Sequence, residues 1–143
     1  MQSKERYFIP PNQSIIIIPT DIQHLYICGL NDYEYDNLLF SFEWFYQLKS
    51  ITIGNGCFKN VREFVLDDLE SLKSVKISAN CFCYNTDDGI CRIMNCPNLT
   101  QLEIGYRSFR DFKSFELSNL NSLQSIKFGW NCFHYADFSL KGE

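Results

Sequence analysis

The chain has 143 residues and a net charge of −4, which corresponds to the length of one domain. Hydrophobic residues make up 45% and charged residues 21%, so the composition excludes disordered and fibrous proteins. The acidic balance argues against a nucleic-acid binder, because such proteins neutralise phosphates with clustered Lys and Arg. The longest apolar run near the N-terminus, Ile15 to Ile18, is far shorter than the ~18 residues of a membrane span. We therefore expect one globular domain without a membrane span.

The N-terminal residues Met1 to Phe8 contain charges but no apolar segment of the kind that a secretory signal requires. The chain has seven cysteines, an odd number that does not suggest a disulfide framework. We therefore expect a cytoplasmic protein with reduced thiols. A cell-surface location is the alternative, because Asn12-Gln13-Ser14 and Asn98-Leu99-Thr100 are N-glycosylation sequons.

The segment 1–21 precedes the repetitive part of the chain and is predicted to form an N-terminal cap. Pro10, Pro11 and Pro19 bracket the apolar run within it, and proline blunts the edge of a sheet because it cannot donate a backbone hydrogen bond. We assign residues 22–143 to the domain that follows.

Residues 22–143 contain an internal repeat, which decides the fold. Four segments share the pattern L-x-x-[ILV]-x-[IF]-[GS]-x-x-[CS]-F, and a degenerate unit precedes them. The five units start near Ile22, Leu48, Leu72, Leu99 and Leu123. The spacing is 24 residues in two of the four steps, and the longest step contains an insertion at Tyr84–Gly89. Its Asn, Asp and Gly residues favour a surface loop.

Each unit contains two stretches in which apolar residues alternate with other residues. Ile51-x-Ile53 represents the first stretch and Phe64-x-Leu66 the second. Alternation with period two indicates strands, so we predict two short strands per coil. A helix is the alternative for the second half of the coil. One unit has apolar residues at helical spacing, namely Phe58, Val61, Val65 and Leu69.

One coil cannot bury its one-sided apolar set, whereas stacked coils form a continuous core. The final position of the pattern is Phe in four of the units: Phe58, Phe82, Phe109 and Phe133. We call these residues the Phe spine. The predicted fold is a mostly β solenoid of about five coils, with about 24 residues per coil.

The repeat resembles the leucine-rich repeat, with Phe in the place of its last Leu. Asn80 and Asn131 occupy the Asn place of that repeat, which Gly56 and Arg107 hold in two other units. The run Ile17-Ile18-Pro19 and the Ile-Gly-x-x-Cys-Phe segments are similar to the BspA-like subfamily. The resemblance implies a short leucine-rich-repeat stack that serves as a protein-binding scaffold. It also implies the alternative function, a BspA-like cell-surface or secreted adhesion protein.

The sequence contains few candidate residues for catalysis or metal binding. Cys57, Cys81 and Cys132 share one place in the unit, with Ser108 in the fourth unit, and buried cysteine is a good small core residue. A zinc site at Cys81, Cys83, Cys91 and Cys96 and a disulfide between Cys83 and Cys91 are the alternatives. The cysteine spacings differ from those of usual zinc sites. We predict a non-enzyme with no catalytic residues, no metal and no cofactor.

Candidate binding residues cluster in the turn after the first strand. Trp, Tyr and Arg are the residue types that anchor interfaces. The candidates are Tyr106, Arg107, Arg110, Trp130 and His134. Tyr106 and Trp130 are 24 residues apart and therefore neighbours in the stack. We expect a non-catalytic scaffold for protein–protein interaction, which includes the case of a fragment of a longer repeat protein. We also expect self-association through the C-terminal coil, because its last strands have exposed edges.

Overall fold

The computed structural model describes residues 6–9, 19–28, 42, 45–83, 88–134 and 136–142. Within these ranges all regular structure is β-strand. The strands are β1 (Arg6–Ile9), β2 (His24–Ile27), β3 (Ser50–Ile53), β4 (Glu63–Asp67), β5 (Ser74–Ile77), β6 (Ile90–Met94), β7 (Gln101–Ile104), β8 (Ser114–Ser118), β9 (Ser125–Phe128) and β10 (Asp137–Lys141). The described part of the chain contains no helix that could cross a membrane.

Two parallel sheets face each other across the core. Sheet A has the order β1-β2-β3-β5-β7-β9, and sheet B has the order β10-β8-β6-β4. From β3 onward, strands of sheet A alternate along the chain with strands of sheet B, so each of these turns contributes one strand to each sheet. The molecule is therefore a β-solenoid, and four of its turns are described with both strands. The repeat architecture predicted from the sequence is confirmed.

The register of both sheets follows the sequence repeat without a slip. In sheet A, Ile51 pairs with Val75, which pairs with Leu102. In sheet B, Phe64 pairs with Cys91 and Cys91 with Phe115. Core residues therefore lie on core residues at every step, because a shift by one residue would turn them to the opposite face.

The second half of the coil is a strand, as the alternation predicted. The residues at helical spacing do not form a helix, because one of them, Val65, lies in β4 between Phe64 and Leu66. Both side chains are fully buried. Val65 between them is only half-buried, which is the two-sided pattern of a strand.

The Phe spine runs through the core between the two sheets. All four of its residues are buried, and the rings of Phe82, Phe109 and Phe133 stack almost in parallel. The centroid separations are 4.6 Å for Phe82–Phe109 and 5.0 Å for Phe109–Phe133. Each spine residue has a positive φ, from 51° to 57°. This left-handed conformation is strained for a bulky residue, and the spine packing holds it in place.

The column of cysteines and Ser108 ties each turn to the preceding one. The Cys81 thiol donates to the Gly54 carbonyl at 3.1 Å, and the Cys132 thiol donates to the Gly105 carbonyl at 2.8 Å. The Ser108 hydroxyl donates to the equivalent carbonyl of Ser78 at 2.6 Å. The column therefore requires small side chains with one hydrogen-bond donor, which explains why Ser replaces Cys in one turn.

The insertion at Tyr84–Gly89 is only partly a surface feature. Residues 84–87 lie outside the described residues, and Asp88 is exposed. Gly89 is buried, which corrects the expectation of a surface loop at this residue. The ring of Phe112 lies where a Gly89 side chain would begin, 2.7 Å from an ideal Cβ. The Gly89 carbonyl also accepts hydrogen bonds from the backbone of Lys113 and Ser114.

The N-terminal part of the solenoid is described only in pieces. β1 lies within the segment 1–21 and pairs in parallel with β2, so this segment extends sheet A. Residues 10–18 and 29–41 lie outside the described residues. Phe42 and Phe45, which precede the second unit boundary, are buried.

Candidate functional site

The outer face of sheet A carries a ladder of polar side chains. Residues between the core positions of each strand point outward, as the alternation predicts. In the first two strands of the ladder, His24 Nδ1 lies 2.7 Å from Ser50 Oγ. Lys76 is aligned with Glu103 and Glu103 with Lys127. This face is therefore polar and carries both signs of charge.

Two exposed aromatic side chains lie at the edge of the solenoid, in the turns after β7 and β9. Tyr106 is 40% exposed and Trp130 is 76% exposed. Their rings stack with a centroid separation of 5.8 Å and an interplanar angle of 18°. The prediction that Tyr106 and Trp130 are neighbours in the stack is confirmed. The ring of Trp130 presents an open apolar surface beside a fixed neighbour.

Arg107 belongs to the same edge. Its guanidinium carbon lies 6.0 Å from the centroid of the Tyr106 ring, at the outer limit of a cation–π contact. Its backbone N–H donates to the Trp130 carbonyl at 3.0 Å. Its φ of 63° is the left-handed conformation that Gly56, Asn80 and Asn131 adopt at the same place. Tyr106, Arg107 and Trp130 therefore form one contiguous surface, which we call the aromatic edge.

Arg110 and His134 contribute differently from the aromatic edge. Arg110 is half-buried. Its Nε is enclosed by protein atoms and has no hydrogen-bond partner among the described residues, so the side chain is only partly available to a ligand. His134 is exposed and directly follows the spine residue Phe133. Of the five predicted residues, three therefore contact one another in the structure, namely Tyr106, Arg107 and Trp130.

A second exposed apolar surface lies at the C-terminal end of the solenoid. Its members are the inward-pointing residues of β9 and β10, which no further strand covers among the described residues: Ile126, Phe128, Phe138 and Leu140. We call this surface the open end. Leu140 is 66% exposed, whereas its neighbour Leu117 in β8 is buried. A cavity of about 240 Å³ opens between β8, β9 and β10 there.

Five of the seven cysteines are buried in the solenoid. None of the seven cysteines forms a disulfide bond, and both Cys83 and Cys91 are buried. Among the described residues no group of three His, Cys, Asp or Glu side chains is close enough to hold a metal ion. Burial raises the pKa of the Cys81 thiol to about 12 and that of the Cys96 thiol to about 11. These thiols remain protonated at neutral pH, and a protonated thiol is a poor nucleophile.

We predict that a thiol reagent at pH 8 labels Cys28 fast and the other six cysteines slowly. Cys28 is exposed, Cys132 is half-buried and the rest are buried. After unfolding, all seven thiols should react. Because the folded-state pKa of Cys81 lies above its ordinary 9.0, the folded state favours the neutral thiol. The resulting stabilisation is present below pH 9 and is lost as the pH rises towards 12. Mass spectrometry of the labelled peptides gives the order of reaction, and fast labelling of Cys81 would contradict the structure.

Comparisons with protein-family models, with curated proteins and with solved structures found no match to this chain.

Proposed function

We propose that the chain is a non-catalytic scaffold of leucine-rich-repeat type that binds a protein partner through the aromatic edge. The observation that carries this proposal is the stacked pair of Tyr106 and Trp130, which stays exposed although the core holds most of the other aromatic rings that the structure describes. Exposed Trp, Tyr and Arg side chains in one patch are typical of interface hot spots. The stack holds the Trp130 ring against a neighbour, so little conformational entropy is lost on binding.

The solenoid supplies the rigidity that such a scaffold requires. Both aromatic residues follow strands of sheet A. The backbone N–H of Arg107 donates a hydrogen bond to the Trp130 carbonyl and so links the two adjacent turns. A binding surface that spans adjacent repeats is the usual arrangement in solenoid proteins. Burial raises the pKa values of the core thiols Cys81, Cys91 and Cys96, so these thiols stay protonated at neutral pH and are poor nucleophiles.

The proposal predicts that Trp130→Ala weakens binding of the partner by about tenfold or more, as truncation of a hot-spot residue does. The protein is immobilised, and proteins captured from an extract of its own cells are quantified by mass spectrometry. Tyr106→Ala should weaken capture of the same proteins, since it removes the ring on which Trp130 stacks. The stability of both variants should change little, because both residues are exposed.

Tyr46→Ala is the matched control, because Tyr46 is a 64% exposed aromatic residue outside the aromatic edge. It should leave capture unchanged. Equal capture by the wild-type protein, the control and the Trp130→Ala variant would contradict a role for the aromatic edge.

A further inference from the structure

We propose that two copies of this chain pair through the outer edges of their β10 strands, antiparallel and centred on Ser139. The pairing surface is the open end, which is separate from the aromatic edge.

The open end has the composition of an interface. From their exposed fractions, the four apolar side chains leave roughly 400 Å² accessible to water, in the range of the largest patches on monomeric proteins. Stable interfaces bury about 800 Å² per partner. In the proposed pairing, the backbone edges of β9 and β10 also become buried. Among the described residues no strand pairs with either edge, and an unpaired edge is a template for another strand.

The backbone of β10 determines which residues can pair outward. The N–H of Asp137 donates to Lys113, and the carbonyl of Lys141 accepts from Asn119, so both residues direct backbone groups towards β8. Alternate residues of a strand direct theirs to opposite sides. Phe138 and Leu140 therefore offer their N–H and C=O groups to the open side.

Antiparallel pairing about Ser139 uses these outward groups. Phe138 then lies opposite Leu140 of the second copy, and Leu140 lies opposite Phe138. Each such pair can exchange two N–H···O=C hydrogen bonds, which gives four bonds across the interface. Their side chains point to the same inward face as Phe115 and Leu117 in β8. Sheet B would thus continue from one copy into the other, with apolar residues on apolar residues.

Charge complementarity selects this register and this direction. The sequence of β10 is Asp-Phe-Ser-Leu-Lys, acidic at its start and basic at its end. When Ser139 faces Ser139, each Asp137 faces Lys141 of the other copy. Shifting the centre to Phe138 or Leu140 keeps the backbone bonds but separates these charges. Parallel pairing would place like charges opposite each other, which is unfavourable.

A charge-swap experiment tests the register. The wild-type protein should form dimers at micromolar concentration in sedimentation equilibrium. Asp137→Lys alone and Lys141→Asp alone should each weaken the dimer by about tenfold, because two attractive pairs become repulsive. An equimolar mixture of the two single variants should dimerise as the wild type does, since each mixed pair again has opposite charges. The double variant should also dimerise.

Two controls separate pairing from folding. Lys141 lies 3.7 Å from Glu116 in its own chain, so the thermal stability of each variant is measured as well and should stay close to that of the wild type. Leu140→Lys should abolish dimers, because a charge on an edge strand opposes strand pairing. Tyr46→Lys, at a position of similar exposure, should not. A monomer at high concentration, or single swaps without effect and without rescue in the mixture, would overturn the proposal.

Discussion

Replacing Phe109 by alanine is expected to lower the free energy of unfolding by about 3–5 kcal/mol, the cost of a large-to-small change in a packed core. Phe109 is fully buried. Its ring stacks on Phe82 and Phe133 and meets the edge of Phe112 at 4.9 Å. Both faces and one edge of the ring are therefore in contact, and the cavity left by alanine would lie between three turns. Chemical denaturation followed by circular dichroism measures the change.

Phe82→Ala should be similarly destabilising, because Phe82 fills the same place one turn earlier and is also fully buried. Tyr46→Ala serves as the control at an exposed aromatic position and should alter the free energy of unfolding by less than about 0.5 kcal/mol. The positive φ of Phe109 does not bias the comparison, since alanine would have to adopt the same conformation. Unfolding curves of Phe109→Ala and Tyr46→Ala that coincide would show that the spine does not hold the core.

The repeat could be read from the sequence because each turn places chemically equivalent residues on one another. Ile51, Val75 and Leu102 align in the sheet just as they align in the repeat. The same regularity predicts that Tyr106 and Trp130 are neighbours in the stack. Periodicity thus predicts which residues share a column, and in a solenoid this is most of the fold.

Features that depend on local backbone geometry or on a neighbouring surface could not be read from the pattern. The left-handed conformation of the Phe spine has no sequence signal, because Phe rarely adopts it. The partial burial of Arg110 depends on the direction of a long side chain.

A Gly recurs at the place directly after the first strand of the coil, and Gly105 is one example. Gly105→Ala should destabilise the protein by about 1–3 kcal/mol, as overpacking does. A Cβ at Gly105 would lie 2.6 Å from the carbonyl carbon of Ser78 and 2.8 Å from the nitrogen of Ala79. Both atoms belong to the backbone of the preceding turn and cannot rotate away. The two turns would have to move apart at the place where Gly105 N–H donates to the Ile77 carbonyl at 2.7 Å.

Ser78 occupies the equivalent place in the preceding turn and has a side chain there. Its hydrogen bond shows how far adjacent turns separate to accommodate a side chain. The Ser78 N–H lies 2.9 Å from its acceptor, the Ile53 carbonyl, whereas the equivalent bonds of Gly105 and Gly129 measure 2.7 Å. A side chain is therefore accommodated where the turns are slightly further apart. Gly142→Ala is the control, since no atom lies within 4 Å of the Cβ it would add. Thermal unfolding compares the two variants. If Gly105→Ala melts at the same temperature as Gly142→Ala, the close approach of the turns does not limit the side chain at this place.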